Sequence, residues 1–125
     1  MRLRFLGKNS TPTNSPTLYA TDQGSYVVQG WIVTDPDILA QVEVSDDETL
    51  VEIPPALLTN LANDGVTGEV SRIALPIAHV TDGGNYVIKA ARVTDPATLA
   101  QMSIPDHETC VEVARSDMLT LLAGT

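Results

Sequence analysis

The chain repeats itself, and this limits its fold more than any other feature. Shifted by 60, residues 21–53 align with 81–113 without a gap, and 17 of the 33 positions are identical. The matches include Thr21/Thr81, Gly24/Gly84, Tyr26/Tyr86, Asp35/Asp95, Pro36/Pro96, Gln41/Gln101 and Glu52/Glu112. Half identity over such a span is not chance, so one unit is written twice. Two copies are too few for a solenoid, which needs about three or more repeats. A unit of this size alone buries only roughly 60 % of its unfolded surface and is marginal, so the two copies are expected to share a core. The expectation is an α+β fold: two tandem copies of a small antiparallel sheet plus helix unit, residues 1–64 and 65–125, packed with pseudo-twofold symmetry as one compact domain. With 43 % hydrophobic residues but only 4 % aromatics, that core must rest on Val, Leu, Ile and Ala.

Each copy reads by the same local rules. Residues 16–21 and 77–81 are short strands. Turns follow at 22–25 and 82–85, where Gly24 and Gly84 are free to take positive φ. Residues 26–33 and 86–93, rich in β-branched and aromatic residues, are the returning strands. Thr-Asp-Pro then opens a short helix in each copy, 36–42 and 96–102, with the acid as cap and proline at the first position. Residues 49–53 and 109–113 alternate apolar and polar as half-buried strands do. Helices at 54–62 and 116–123 close the copies, with positions 58/118, 61/121 and 62/122 on one face. A further strand is expected ahead of each hairpin, at 2–6 and 70–75. Residues 63–68 form a short connector and 8–15 a loop.

The formal net charge of −9 argues against direct nucleic-acid binding and against an anionic membrane surface, and favours basic partners. A single cysteine, Cys110, allows no intrachain disulfide and points to a reducing compartment, the cytoplasm. The first residues carry no signal-peptide pattern, and no stretch has the length to span a bilayer.

Catalytic and metal patterns are sparse. His79 aligns with Tyr19, and His107 with Asp47, so neither recurs. A zinc site needs three or four convergent ligands, and none is expected, nor any other cofactor. Cys110 aligns with Leu50 and reads as a small buried apolar residue. Asp46, Asp47 and Glu48 lack EF-hand spacing. Gly24, Gly83 and Gly84 lead into a strand, not a helix, and so form no phosphate loop.

The copies differ most at Gln29-Gly30-Trp31-Ile32 against Lys89-Ala90-Ala91-Arg92. Trp31 either fills the space left by Ala91 across a shared interface or stands exposed as a partner anchor, a role in which Trp is enriched. Trp31, Gln29, Lys89 and Arg92 are therefore the candidate contact residues for a partner or ligand.

The segments Phe5-Leu6-Gly7-Lys8, Ser15-Pro16-Thr17-Leu18-Tyr19-Ala20-Thr21-Asp22, Ser25-Tyr26-Val27-Val28-Gln29-Gly30-Trp31 and Val33-Thr34-Asp35-Pro36 resemble small uncharacterised actinobacterial proteins encoded near helix-turn-helix regulators. Each copy also resembles, more distantly, a domain family of unknown function whose members accompany such regulators as antitoxin-like or developmental partners. Residues 86–96, 109–113 and 117–124 follow that family's order. Its Arg-Asp-Ser-Lys stretch, however, reads Arg92-Val93-Thr94-Asp95, and its helix tryptophan falls near Met118. What the resemblance implies is a non-catalytic protein-interaction module, a regulatory or antitoxin-like partner of a helix-turn-helix regulator. Two other classes stay open: a small-molecule binder or small enzyme with a site at the seam between the repeats, and an assembly role through homodimerisation.

Overall fold

A computed structural model describes residues 1–8, 16–70 and 72–122. Residues 9–15 of the expected loop, Ser71 and the end of the closing helix from Ala123 lie outside the described residues. The fold is α+β, a seven-stranded, antiparallel sheet with few helices.

Strands β1 (Leu3–Lys8), β2 (Thr17–Thr21) and β3 (Ser25–Ile32) form a meander. Helix α1 (Pro36–Gln41) and strand β4 (Glu48–Ile53) follow, then a 3-10 helix over Pro55–Asp64. Strands β5 (Ile77–Val80) and β6 (Tyr86–Arg92), helix α2 (Pro96–Leu99), strand β7 (Glu108–Ala114) and helix α3 (Arg115–Leu122) complete the chain. Gly24 and Gly84 take φ of 74° and 88° in the two hairpin turns, a conformation open to glycine at little steric cost. Asp35 and Asp95 cap α1 and α2, accepting from Asp37 N–H and Thr98 N–H.

The ladders cross between the halves. The long partner of β3 is β7, with Tyr26 facing Val113; the long partner of β4 is β6, with Ile53 facing Tyr86. Beyond these, Trp31 faces Glu52 and Ala91 faces Glu112. Ile32 N–H donates to His107 C=O at 3.0 Å, and Arg92 N–H to Asp47 C=O at 2.8 Å. Four strands thus close on themselves, β3 with β4, β4 with β6, β6 with β7 and β7 with β3. The hairpin strands β2 and β5 lie outside this ring, on β3 and β6.

One buried cluster draws on both halves, including Leu18, Tyr26, Val28, Val51, Ile53, Leu57 and Leu61 with Ile88, Val111, Val113, Met118 and Leu121. At about 2 kcal/mol for each fully buried Leu, Ile or Met, this shared burial supplies what neither half has alone. A smaller cluster of Val33, Ile38, Leu50 and Val87 lies under α1. Among the described residues no helix is long and apolar enough to cross a membrane.

Two expectations are corrected. Among the described residues of the expected strand at 70–75, none is in a strand. The chain turns there, with Ile77 N–H donating to Ala74 C=O at 2.9 Å across Pro76, which has no N–H to offer a ladder. The helix expected at 54–62 is a 3-10 helix over Pro55–Asp64. Thr59 Oγ1 donates to Ala56 C=O and Asn60 Nδ2 to Leu57 C=O, side-chain bonds that draw on the carbonyls an α-helix uses. The tighter winding buries Leu57, Leu58 and Leu61 and leaves Ala62 exposed. In α3 the expected face holds: Met118, Leu121 and Leu122 are buried.

Candidate functional site

The four residues picked out by difference between the copies occupy separate places. Gln29 stands in mid-β3 between Thr17 of β2 and Cys110 of β7 and is 1 % exposed. Its Nε2 donates to Glu108 Oε1 at 2.7 Å and to Ser103 C=O at 2.9 Å, while Oε1 has no partner. Glu108 is fully buried and lies 3.5 Å from His107 Nε2. Lys89, at the matching position of β6, donates from Nζ to Glu43 C=O at 3.1 Å. Ser103 and Glu43 are themselves 60 apart, so Gln29 and Lys89 do one job with different chemistry. Each ties down the loop that follows a short helix of the other half. Trp31 is half-buried where β3 meets Glu108 and Glu52. Arg92 is exposed at the end of β6, opposite Val111.

The Gln29-anchored loop, with Ser103, Ile104 and Pro105, faces Phe5, Lys8, Thr17 and Tyr19 across a cleft of about 480 Å³. Phe5 is 59 % exposed and packs edge-on against Tyr19, ring centroids 6.2 Å apart. Burial, with a contribution from Cys110, raises the pKa of Tyr19. Burial likewise pushes the Cys110 thiol up to about 11, which makes it a poor nucleophile at neutral pH.

A second polar cluster joins four elements. Tyr26 Oη donates to Asp64 Oδ2 at 2.6 Å, and the same carboxylate meets Arg4 and, at 3.6 Å, Arg115. The Tyr26 hydrogen bond, followed by the two guanidiniums, holds the Asp64 carboxyl below its usual range. Burial, followed by the Asp64 bond, raises the Tyr26 hydroxyl. This cluster pins β1, β3, the 3-10 helix and α3 together. Among the described residues no group of three or more His, Cys, Asp or Glu side chains could hold a metal ion.

The reading by difference between copies missed the sheet edges. The outer edge of β2 is covered by β1. Among the described residues nothing pairs with the outer edge of β5. Along that stretch Ile73, Leu75 and Val80 are exposed, Leu75 to 65 %. The available signal was apolar residues just ahead of a proline, which also reads as a strand. Comparison with protein-family models, with curated proteins and with solved structures gives no match.

Proposed function

We propose that the chain is a tandem duplication packed about a pseudo-twofold axis, and that it works in the cytoplasm as a non-catalytic protein-interaction module. The duplication is supported by the register: each long ladder has a counterpart 60 residues along, Tyr26 on Val113 answering Tyr86 on Ile53. The interaction role rests on one observation, the edge of β5, unpaired among the described residues, with Ile73, Leu75 and Val80 exposed along residues 73–80. Exposed strand edges bordered by apolar side chains are templates for another chain. The net charge of −9 favours a basic partner, and the resemblance suggests a helix-turn-helix regulator. Leu75→Asp tests the reading, since it charges the apolar border of an exposed site. A regulator recovered by affinity capture with the unaltered chain and lost with Leu75→Asp is the expected result. Equal recovery with both chains, or no specific protein with either, contradicts it.

A second reading, a small-molecule site at the seam, draws on the cleft between Phe5, Thr17 and Tyr19 of one half and Ser103, Ile104 and Pro105 of the other. Its volume of about 480 Å³ falls within the range of roughly 300–1,000 Å³ usual for ligand pockets. A thermal-shift screen of metabolites tests it: a stabilising hit that Phe5→Ala abolishes supports the site, and a blank screen removes it.

A further inference from the structure

Residues 1–3 are held at the turn of the first hairpin through bonds to their backbone. Leu3 N–H donates to Gln101 Oε1 at 2.9 Å, and Gln101 Nε2 donates to Met1 C=O at 2.7 Å. Arg2 N–H donates to Asp22 Oδ1 at 3.0 Å, and Asp22 N–H donates to Arg2 C=O at 3.1 Å. The Gln101 amide stands in for a peptide unit of a neighbouring strand, bonding on either side of Arg2 as a ladder residue would. From there β1 runs antiparallel along the outer edge of β2. These bonds ask for an extended backbone, not for particular side chains.

A shift of 60 carries Gln101 to Gln41, Asp22 to Asp82 and β2 to β5. Gln41 is held in the same posture. Its Nε2 donates to Asp37 C=O at 3.0 Å, as Gln101 Nε2 does to Ala97 C=O at 3.1 Å. Gln41 and Asp82 line a cleft of about 440 Å³ with Asp35, Asp37, Glu52 and His79. The edge beside it is open: Val80 is 36 % exposed, whereas its counterpart Ala20, under β1, is 5 %.

The geometry points to β5 and this cleft as the docking site for an extended, basic segment of another protein. The segment adds antiparallel to β5 with its N-terminal end against Gln41 and Asp82, repeating what β1 does on β2. This rests on the interaction reading above and names its mode. A basic occupant follows from charge: four carboxylates, Asp35, Asp37, Asp82 and Glu52, line the cleft beside a single histidine. The segment already seated in the matching place carries Arg2, Arg4 and Lys8.

The probe is therefore a synthetic peptide with the sequence of residues 1–8, MRLRFLGK, labelled at its C-terminus and titrated into the full chain by fluorescence anisotropy. Saturable binding is expected, weakened about tenfold by Gln41→Ala, which removes two hydrogen bonds to the peptide backbone. Thr81 N–H points inward, to Asn85 C=O, so by alternation the N–H group of Val80, which lies beyond the bulge at Ile77–His79, faces the open edge. Peptide addition slows amide exchange at Val80, and Val80→Pro, which removes the outward donor where an edge strand tolerates proline, abolishes binding. Gln41→Ala alters only an exposed side chain and serves alone where Val80→Pro does not fold. No saturable binding, or binding indifferent to Gln41→Ala, overturns the proposal. So does a concentration-dependent dimer of the chain alone that is lost in Val80→Pro, because the occupant is then a second copy. Partner capture that depends on Leu75 without peptide binding leaves the interaction reading standing and removes strand addition alone.

Discussion

Gly30 sits where β3 meets β4, and a Cβ there would lie 2.6 Å from Glu52 O and 2.7 Å from Ile53 Cγ2. The Glu52 oxygen is backbone in a closed ring of strands, so it has little freedom to give way. Gly30→Ala is therefore expected to destabilise the fold by roughly 1–3 kcal/mol, as overpacking does, which a shift of the urea midpoint would measure. The Asp64 cluster predicts a pH dependence. Its carboxyl titrates lower in the folded chain than in the unfolded one, so its contribution is full at neutral pH and is lost as pH falls below about 4. Asp64→Asn should lower stability at pH 7, and the gap to the unaltered chain should narrow towards pH 3. A constant gap would show that the charge of Asp64 contributes nothing. Tyr26→Phe removes the buried hydroxyl that donates to this charged partner, a loss of about 1.5–3 kcal/mol.

The elements that could be read locally are those whose signal is local. Asp35 and Asp95, each followed by proline, mark the helix starts, and both side chains do cap. Asp95 does more than Asp35, because it also accepts from the buried Thr98 hydroxyl at 2.6 Å. Asp95→Ala should lower the melting temperature, and by more than Asp35→Ala does, in parallel thermal melts; equal shifts would show that the Thr98 bond is unimportant. The failures have physical causes as well. Ile73 and Leu75 have the composition of a strand, but no local pattern says whether a partner strand exists, and the turn across Pro76 denies them one. Leu57 to Ala62 carries a helical period, yet Thr59 and Asn60 bond back to the carbonyls and wind the segment more tightly. Gln29 and Lys89 differ in chemistry, and the structure gives them matching bonds, to Ser103 and Glu43.

At the scale of the molecule, the long ladders cross between residues 25–53 and 86–114, and the crossing explains the shared core. Which strand pairs with which depends on contacts between residues far apart in the chain, and no local period encodes that. The two halves then diverge at their rims: β1 covers β2, while nothing among the described residues covers β5. That divergence carries the functional reading, and amide exchange in the free protein tests it most directly. Ala20 in β2 and Val80 in β5 hold matching places on the two outer edges. Ala20 is predicted to exchange slowly, under the protection of β1, and Val80 at nearly the rate of an unfolded peptide. Equal protection at the two amides would mean that the edge of β5 is already filled, and would contradict the account.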